Sequence, residues 1–369
     1  MSDNKIKVLV IDDSALVRKM LTEILNSDKQ IEVVGSAADP LMARQKIKQL
    51  NPDVLTLDIE MPNMDGITFL SNLMRLRPMP VIMVSTLTEA GAEITLDALE
   101  LGAVDFINKP KTDFGNSIQN YADELIEKVK VASVAQLKSG APKRKKSIDN
   151  INNIKVEKKH SADAILDLNI GKRNYKLTDS IIAIGASTGG TEAIREVLQE
   201  MPANSPGIVI TQHIPEKFST SFAIRMDKLS PMKVCEATDG QQILAGHVYI
   251  APGGLHMMVE RSGARYVCRL NDGPAVNRHK PSVNVLFRSV ANQLGQNAIG
   301  VILTGMGDDG AEGLSEMKQA GAVTLAQDER SSVVWGMPGE AVKLNAVDDI
   351  LPLKSVAKRL ISLSASMAA

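Results

Sequence analysis

Residues 180–190 read Ser-Ile-Ile-Ala-Ile-Gly-Ala-Ser-Thr-Gly-Gly, an apolar, strand-like run that breaks into glycines ahead of a helix-like segment. Such a junction predicts a strand that turns sharply into a helix, which is the unit that α/β folds repeat. Gly185, Ser187 and Gly189 also fit the G-x-S-x-G pattern, which can lift a serine hydroxyl clear of the backbone at the end of a strand. The stretch therefore indicates an α/β fold and a candidate nucleophile at Ser187.

Taken alone, the G-x-S-x-G pattern does not require catalysis. Small residues between a strand and a helix also form tight turns and anion-binding nests in proteins that catalyse nothing. A dinucleotide-binding loop fits the sequence less well, because Ser187 stands where the second glycine of G-x-G-x-x-G would let a pyrophosphate approach. A catalytic serine would further require a base and a group that orients the base.

Strand-like runs alternate with helix-like segments on both sides of a central gap. The later series has strand candidates at 180–184, 207–211, 247–251, 298–303 and 322–326, and the earlier series has them at 8–11, 31–34, 54–57, 81–84 and 104–107. Between the two series the pattern gives way to a basic and asparagine-rich stretch, which is typical of a flexible linker. We predict an α/β protein of two doubly wound domains, the second mostly parallel. The first domain spans residues 1–134, the linker spans 135–177, and the second domain spans 178–369.

The composition limits the partners and the location. The chain has 369 residues, 42 basic and 43 acidic side chains and a net charge of -1, so nothing global favours nucleic acid or a membrane surface. Its two cysteines fit neither a disulfide framework nor a zinc site, and no apolar run approaches the ~20 residues of a membrane span. We expect a soluble, cytoplasmic, monomeric protein without a signal peptide.

Polar side chains follow the strands of the earlier series. They are Asp12 and Asp13, Asp58, Ser85 and Thr86, and Lys109. The carboxyl ends of parallel strands meet at one edge of a sheet, and carboxylates held together there repel one another unless a cation such as Mg²⁺ bridges them. The pattern predicts a Mg²⁺ site at which Asp58 attacks a phosphoryl group, while Lys109 and the Ser85 or Thr86 hydroxyl hold its oxygens.

Candidate partners of Ser187 also follow strands. His213 comes directly after the second strand of the later series and is the favoured base, whereas His279 competes because its polar, basic loop enters a helix. Asp308 or Asp309, in a glycine-rich loop after another strand, can orient the base, and spacing does not choose between them. The chain order Ser, His, Asp differs from that of ordinary α/β-hydrolases, so a different architecture is expected.

Three runs resemble the receiver domain of two-component response regulators. They are Val10-Ile-Asp-Asp-Ser14, Leu57-Asp-Ile-Glu-Met-Pro-Asn-Met-Asp-Gly66 and Phe106-Ile-Asn-Lys-Pro110. The resemblance implies a flavodoxin-like fold, phosphorylation of Asp58 by a chemotaxis histidine kinase, and Mg²⁺ held by Asp12, Asp13 and Asp58. It also implies that Ser85 is the switch hydroxyl and that Lys109 contacts the phosphate.

Motifs of the later series resemble the methylesterase domain of chemotaxis protein-glutamate methylesterases. They are Ile184-Gly-Ala-Ser-Thr-Gly-Gly-Thr-Glu192, Thr211-Gln-His-Ile-Pro215, Ile250-Ala-Pro-Gly-Gly254, Asp272-Gly-Pro-Ala-Val-Asn-Arg-His-Lys-Pro-Ser282 and Leu303-Thr-Gly-Met-Gly-Asp-Asp-Gly310. The resemblance implies a triad of Ser187, His213 and Asp309, and an esterase reaction that needs no cofactor. Family members often carry Asn where Asp308 stands.

The two resemblances together imply a phosphorylation-regulated enzyme. It would hydrolyse glutamate methyl esters, and deamidate selected glutamines, on the cytoplasmic helices of chemoreceptors. Backbone N–H groups near Thr188 and Met306 are candidate oxyanion donors because both lie in glycine-rich loops beside the triad, and Arg278 and His279 are candidates for placing the receptor helix. A second half that binds DNA is disfavoured because its β/α repeats are not a basic helix-turn-helix. A catalytically dead binding module is the other alternative.

Overall fold

The computed structural model describes residues 5–61, 65–86, 88–109, 117–137, 160–169 and 180–368. Its contacts divide the chain into two compact units, residues 1–149 and 150–369. Each unit is built around its own parallel sheet. The predicted two-domain α/β fold is therefore confirmed.

The first unit alternates strands and helices without exception among its described residues. Its elements are β1 (Ile6–Ile11), α1 (Ala15–Asn26), β2 (Ile31–Ala37), α2 (Pro40–Leu50), β3 (Val54–Asp58), α3 (Gly66–Leu76), β4 (Val81–Ser85), α4 (Glu89–Glu100), β5 (Asp105–Asn108) and α5 (Ser117–Ala132). The sheet has five parallel strands in the order β2-β1-β3-β4-β5. Strands β3 and β4 are buried at every position, as strands covered by helices on both faces require.

The second unit has more strands than the sequence indicated. Its elements are β6 (Ile181–Ala186), α6 (Gly190–Glu200), β7 (Gly207–Gln212), α7 (Glu216–Leu229), β8 (Lys233–Glu236), β9 (His247–Ile250), β10 (His256–Ser262), β11 (Arg265–Asn271), α8 (Val283–Leu294), β12 (Ala298–Ile302), α9 (Ala311–Gln319), β13 (Val323–Gln327), α10 (Met337–Lys343), β14 (Asp349–Leu351) and α11 (Leu353–Ala368). A short 3₁₀ turn, Ala162–Ala164, precedes them.

Seven of these strands form one sheet in the order β14-β13-β12-β6-β7-β9-β8. Every pairing within it is parallel, and the antiparallel pair β10 and β11 forms a separate hairpin. Strand β6 lies at the centre, where the chain first builds the sheet to one side and later returns to the other through β12. In open α/β sheets this change of direction is where ligands bind, at the carboxyl ends of the strands.

The predicted linker is described only in part. Residues 138–159 and 170–179 lie outside the described residues, whereas residues 160–169 form ordered structure on the second unit. Here the structure differs from the expected flexible stretch, because Ala162 is buried among residues of the second unit and Asp163 pairs with Arg288. Among the described residues, no helix is long and apolar enough to cross a membrane.

Candidate functional site

Ser187 lies directly after the central strand β6 of the second unit. Its N–H donates a hydrogen bond to the carbonyl of Thr304, which follows β12, at 3.1 Å. Its carbonyl accepts the N–H of Gly190 at 2.7 Å, so the chain turns sharply into α6. The half-buried serine therefore stands at the switch point of the sheet, and its own N–H is already engaged.

Two glycines allow this close packing. Gly189 has φ +76°, a left-handed conformation that residues with a Cβ rarely adopt, and a Cβ there would also lie 2.7 Å from Val333. At Gly305 a Cβ would lie 2.9 Å from the Cβ of Ser187. The G-x-S-x-G pattern and the glycines of the loop after β12 thus permit two loops to approach closely around the serine.

His213 follows the neighbouring strand β7, and its N–H donates to the carbonyl of Ala186, the residue before Ser187, at 3.1 Å. Its Nε2 lies 2.8 Å from Oδ2 of Asp309. A buried carboxylate only accepts hydrogen bonds, so Nε2 carries the proton and Nδ1 is left as an acceptor. Within the described part of the chain Nδ1 is buried and has no hydrogen-bond partner.

Asp309 is 1% exposed and lies at the N-terminus of α8. Besides His213, its carboxylate accepts hydrogen bonds from the hydroxyl of Ser282 at 2.8 Å and from the backbone N–H groups of Val283 and Asn284 at 2.6 and 3.3 Å. Burial raises the pKa of Asp309, but the hydrogen bond with His213, the nearby imidazoles and Ser282 outweigh it and hold the pKa at about 2. The carboxylate therefore stays ionised at neutral pH.

The structure brings Asp309, and not its neighbour, to His213. Asp308 is exposed at the surface of the same loop. The glycine-rich loop after β12 thus presents one aspartate to solvent and the other to the base, a choice that the spacing of the two left open.

His279, the competing base, lies against His213 rather than in its place. The two imidazole rings are stacked, with centroids 3.6 Å apart and an angle of 12° between their planes. Arg278, beside it, is exposed. Of the suggested oxyanion donors, Thr188 is buried and Met306 is half-buried, each in a loop that flanks Ser187.

Reasoning from the sequence gave no role to two residues of the site, Gln212 and His256. Gln212 donates hydrogen bonds from Nε2 to the carbonyls of Ser187 and His213, at 2.9 and 3.2 Å, and so ties the two loops together. Buried His256 accepts the N–H of Ser282 at 3.2 Å, and burial lowers the pKa of His256. The position of Gln212 just ahead of His213 was the one signal that could have found it.

Three acidic residues of the first unit, Asp12, Asp13 and Asp58, lie together at the carboxyl ends of its strands. Asp12 and Asp58 are fully buried, and Asp13 is exposed. Nζ of Lys109 lies 2.7 Å from Oδ2 of Asp58 and 3.8 Å from Oδ2 of Asp12. Ser85 is buried, and its hydroxyl accepts a hydrogen bond from the hydroxyl of Thr95 at 2.8 Å.

This cluster has the chemistry of a divalent cation site. One oxygen from each of Asp12, Asp13 and Asp58 lies within 4.8 Å of the others, and Oδ2 of Asp12 is buried without a hydrogen-bond partner among the described residues. Burial, and then the charge of Asp58, raise the pKa of Asp12 to about 6. Burial also raises the pKa of Asp58, despite its hydrogen bond to Lys109. These three carboxylates fit Mg²⁺, whose charge would offset their repulsion.

Asp12→Asn is expected to stabilise the first unit in Mg²⁺-free buffer. Because the pKa of Asp12 is raised in the folded state, the folded protein binds more protons than the unfolded chain between pH 3.8 and about 6, so stability falls as pH rises through that window. The difference between the pKa of about 6 in the folded protein and the ordinary value of 3.8 corresponds to at most about 3 kcal/mol of the free energy of unfolding, and to about 1 to 2 kcal/mol after solvent screening. Hydrogen exchange of β1 and β3 measures the gain.

The gain should be complete above about pH 6 and absent below pH 3.8. Asp13→Asn, which removes an exposed carboxylate from the same cluster, is the matched control and should give a smaller gain. Added Mg²⁺ should stabilise the unsubstituted protein more than the Asp12→Asn protein. A gain that is equal at pH 3.5 and pH 7.5 would contradict the assignment to Asp12 ionisation.

Comparisons with known proteins cover both units of the chain. Residues 182–360 match the CheB methylesterase family, and residues 8–119 match the response regulator receiver domain family. A protein of Xanthomonas euvesicatoria pv. vesicatoria named protein-glutamate methylesterase/protein-glutamine glutaminase 1 is 58% identical over 98% of this chain and 98% of its own. A protein of Hydrogenovibrio crunogenus named protein-glutamate methylesterase/protein-glutamine glutaminase is 55% identical over 98% and 99%.

Among solved structures, the Thermotoga maritima CheB methylesterase catalytic domain aligns with 50% of this chain and 98% of its own, at 35% identity and a TM-score of 0.49. The full-length relatives carry the assignment, since they match both units of the chain in one alignment. The chain belongs to the protein-glutamate methylesterase/protein-glutamine glutaminase family, with a response regulator receiver domain ahead of a CheB methylesterase domain.

Proposed function

We propose that this chain hydrolyses the γ-methyl esters of glutamate side chains on chemoreceptor helices, deamidates selected glutamines there, and is regulated by phosphorylation of its receiver domain. The observation that carries the proposal is the pairing of His213 Nε2 with buried Asp309, which leaves Nδ1 as an acceptor on a residue whose backbone is hydrogen-bonded to the residue before Ser187. The names of the full-length relatives support the substrate class.

Ser187 is the nucleophile and His213 the general base in this proposal. Nδ1 takes the hydroxyl proton as Oγ bonds to the ester carbonyl carbon, and Asp309 stabilises the resulting imidazolium through Nε2. The tetrahedral intermediate then breaks its bond to the methoxy oxygen, and the imidazolium gives that oxygen the proton, so methanol leaves. Water, deprotonated by His213, attacks the acyl-enzyme; the bond to Oγ of Ser187 then breaks, and the imidazolium returns the proton to Oγ as glutamate leaves. With glutamine the leaving group is ammonia.

The developing oxyanion needs donors other than the Ser187 N–H, because that group donates to Thr304. We assign the role to the backbone N–H groups of Thr188 and Met306, in the two loops that flank the serine. Arg278 is an exposed cation in the loop that carries His279. We propose that it helps to place the receptor helix.

Regulation starts at the acidic site of the receiver domain. Asp58 would attack the phosphoryl group of a histidine kinase, with Lys109 and the Ser85 hydroxyl binding the phosphoryl oxygens. Asp12, Asp13 and Asp58 would hold Mg²⁺, which neutralises the incoming charge when bound. We propose residues 1–134 as the receiver, 178–369 as the catalytic domain, and a cytoplasmic monomer as the working state.

An assay of the reaction products, methanol and a free glutamate side chain, tests this function. Full-length protein is incubated with a receptor-derived helical peptide that carries one glutamate γ-methyl ester, with and without Mg²⁺ and a small phosphodonor. We expect methanol release and a free glutamate at that position, with a higher rate when the phosphodonor and Mg²⁺ are both present.

Asp58→Asn is the control for regulation. It keeps the shape of the acceptor residue but cannot form the acyl phosphate, so its basal rate should persist without activation. No methanol from the unsubstituted protein under either condition would contradict the enzymatic proposal, whereas equal activation of the Asp58→Asn protein would contradict only the regulatory part.

A further inference from the structure

Residues 160–169 pack on the catalytic unit although they belong to the predicted linker. Ala162 is 2% exposed and forms a small apolar cluster with Val276 and Val285. Ile165 packs against the same cluster. The segment is therefore held on the catalytic unit by the packing of Ala162 and Ile165 against this cluster.

Polar contacts fix the rest of this segment on α8. Arg288, which is 6% exposed, pairs with Asp163 and donates to the carbonyl of Leu166 at 3.1 Å. Its other partner is Glu316 of α9, at 2.9 Å from Nε. Asn292 donates to the carbonyl of Asp167 at 2.9 Å and accepts the N–H of Asn169 at 2.7 Å. The segment is thus anchored along its length.

The first residue of the segment touches the loop of the catalytic site. The carbonyl of His160 accepts the N–H of Asn277 at 3.0 Å, and His160 forms a parallel bridge with Val276. Val276 is in turn fully buried against Ala162. One end of the loop 276–282 is therefore fastened to the 160–169 segment.

The loop 276–282 supplies three contacts to the base and its partner. Nδ2 of Asn277 donates to Oδ1 of Asp309 at 3.3 Å, and the hydroxyl of Ser282 donates to the same oxygen at 2.8 Å. The ring of His279 stacks on that of His213, at 3.6 Å between centroids. A shift of this loop would therefore displace the His279 ring from His213 and also disturb the two hydrogen bonds that Asp309 accepts from the loop.

The loop 276–282 contains a tight turn with two left-handed residues. Asn277 has φ +49°, which asparagine tolerates, and Arg278 has φ +71°, in the left-handed region that most residues with a Cβ populate rarely. Two backbone hydrogen bonds between Val276 and His279, at 2.8 and 3.1 Å, close the turn. Strained loops of this kind persist when the surrounding structure holds them, and here the 160–169 segment is part of that structure.

We propose that the 160–169 segment is a positioning element of the esterase, which holds the loop 276–282 so that His279 stacks on His213. His279 is then a positioning residue, and the segment acts on catalysis through it. This inference rests on the proposed function, and it adds His160, Ala162 and Asp163, which precede the catalytic sheet in the chain, to the residues that position the base.

Ala162→Asp tests the proposal against Ala164→Asp in the full-length protein. Both changes place a carboxylate in the same 3₁₀ turn, but Ala162 is buried against Val276 whereas Ala164 is exposed. We expect Ala162→Asp to lower kcat for ester hydrolysis by about tenfold to a hundredfold, because small misplacements of catalytic groups have effects of that size. Ala164→Asp should leave kcat unchanged.

Hydrogen exchange at the backbone N–H of Asn277 gives a readout that does not depend on activity. This amide donates to His160, so it should exchange faster in the Ala162→Asp protein and at the original rate in the Ala164→Asp protein. If the unsubstituted protein released no methanol, the proposed function would fail, while the exchange rates would still test the positioning role. An Asn277 amide that stays protected in the Ala162→Asp protein would overturn the inference.

The double variant Ala162→Asp/His279→Ala shows whether the segment acts through the stacked ring. His279→Ala alone should lower kcat, and Ala162→Asp should have little further effect in that background, because groups that act as a unit are not additive. Equal kcat for the Ala162→Asp and Ala164→Asp proteins, or full additivity with His279→Ala, would overturn the proposal.

A milder pair covers the case in which Ala162→Asp disturbs folding, which the fluorescence of Trp335, the single tryptophan, would reveal. Asp163→Asn weakens the pairing with Arg288, and Asp167→Asn makes the same change at another exposed aspartate of the segment, one that does not pair with Arg288. Asp163→Asn should accelerate exchange at Asn277 and lower kcat severalfold, and Asp167→Asn should do neither. Identical behaviour of this pair would overturn the inference.

Discussion

Ser187→Ala is expected to lower kcat for methyl ester hydrolysis by about 10⁵-fold to 10⁶-fold, the range seen when a triad serine is removed. The hydroxyl is the atom that would form the acyl-enzyme, and the loop after β12 packs closely against Ser187. At Gly305, for example, a Cβ would lie 2.9 Å from Ser187. Methanol release from the esterified receptor peptide measures the loss.

Deamidation of a glutamine in the same peptide should fall in parallel, since both reactions pass through one acyl-enzyme. Ser262→Ala, at an exposed serine at the end of β10, is the matched control and should keep full activity. Loss of ester hydrolysis with deamidation intact would contradict a shared nucleophile. A Ser187→Ala protein that kept a tenth of the activity would exclude Ser187 from the nucleophile role.

The strand framework could be predicted from the sequence because buried parallel strands leave a simple pattern. Runs such as 54–57 and 81–84 are apolar at nearly every position, since helices cover both faces of the sheet. Side chains that follow such runs meet at one edge, so the pattern also brought Asp58 near Lys109 and Ser187 near His213. Strands β8 and β14 were not recognised individually, because they are short and lie at the edges of the sheet.

The finer chemistry of the site depends on contacts that no local pattern records. Ser282 and Asp309 are 27 positions apart, and their hydrogen bond exists because α8 begins beside the loop after β12. The stacking of His279 on His213 likewise depends on how two loops pack. The polar, basic loop ahead of a helix suggested His279 as a competitor for the role of base, whereas the structure stacks its ring on that of His213.

The 160–169 segment was missed for a related reason. It is short, half of its residues are polar, and its one fully buried side chain is an alanine, so it lacks the periodic buried apolar residues that indicate a structured element. Its anchors, Arg288 and Asn292, lie more than a hundred positions away in the sequence. Such a segment looks like a linker until its partners are known.

Asp309→Asn is expected to lower kcat by about 10⁴-fold, because it would reverse the tautomer of His213. In the protein as it stands, the carboxylate accepts the Nε2 proton at 2.8 Å and leaves Nδ1 free to take the serine proton. Oδ1 of Asp309 accepts from Ser282 and Asn284, and Oδ2 accepts from His213 and from the N–H of Val283. An amide that keeps its oxygen toward Ser282 and Asn284 would direct its NH₂ group at Nε2, move the imidazole proton to Nδ1 and lose the hydrogen bond from Val283. The base would then present a proton where it must accept one.

Asp308→Asn makes the same chemical change one position earlier, on an exposed side chain, and should alter kcat little. The pH profile separates the role of Asp309 from a purely structural one. With a pKa of about 2, Asp309 is ionised throughout the neutral range, so its removal should lower the rate at every pH from about 6 to 9 without moving the midpoint of the profile toward the pKa of a carboxyl group. Equal losses for the two asparagine variants would mean that the loop, and not the carboxylate on His213, is what the reaction needs.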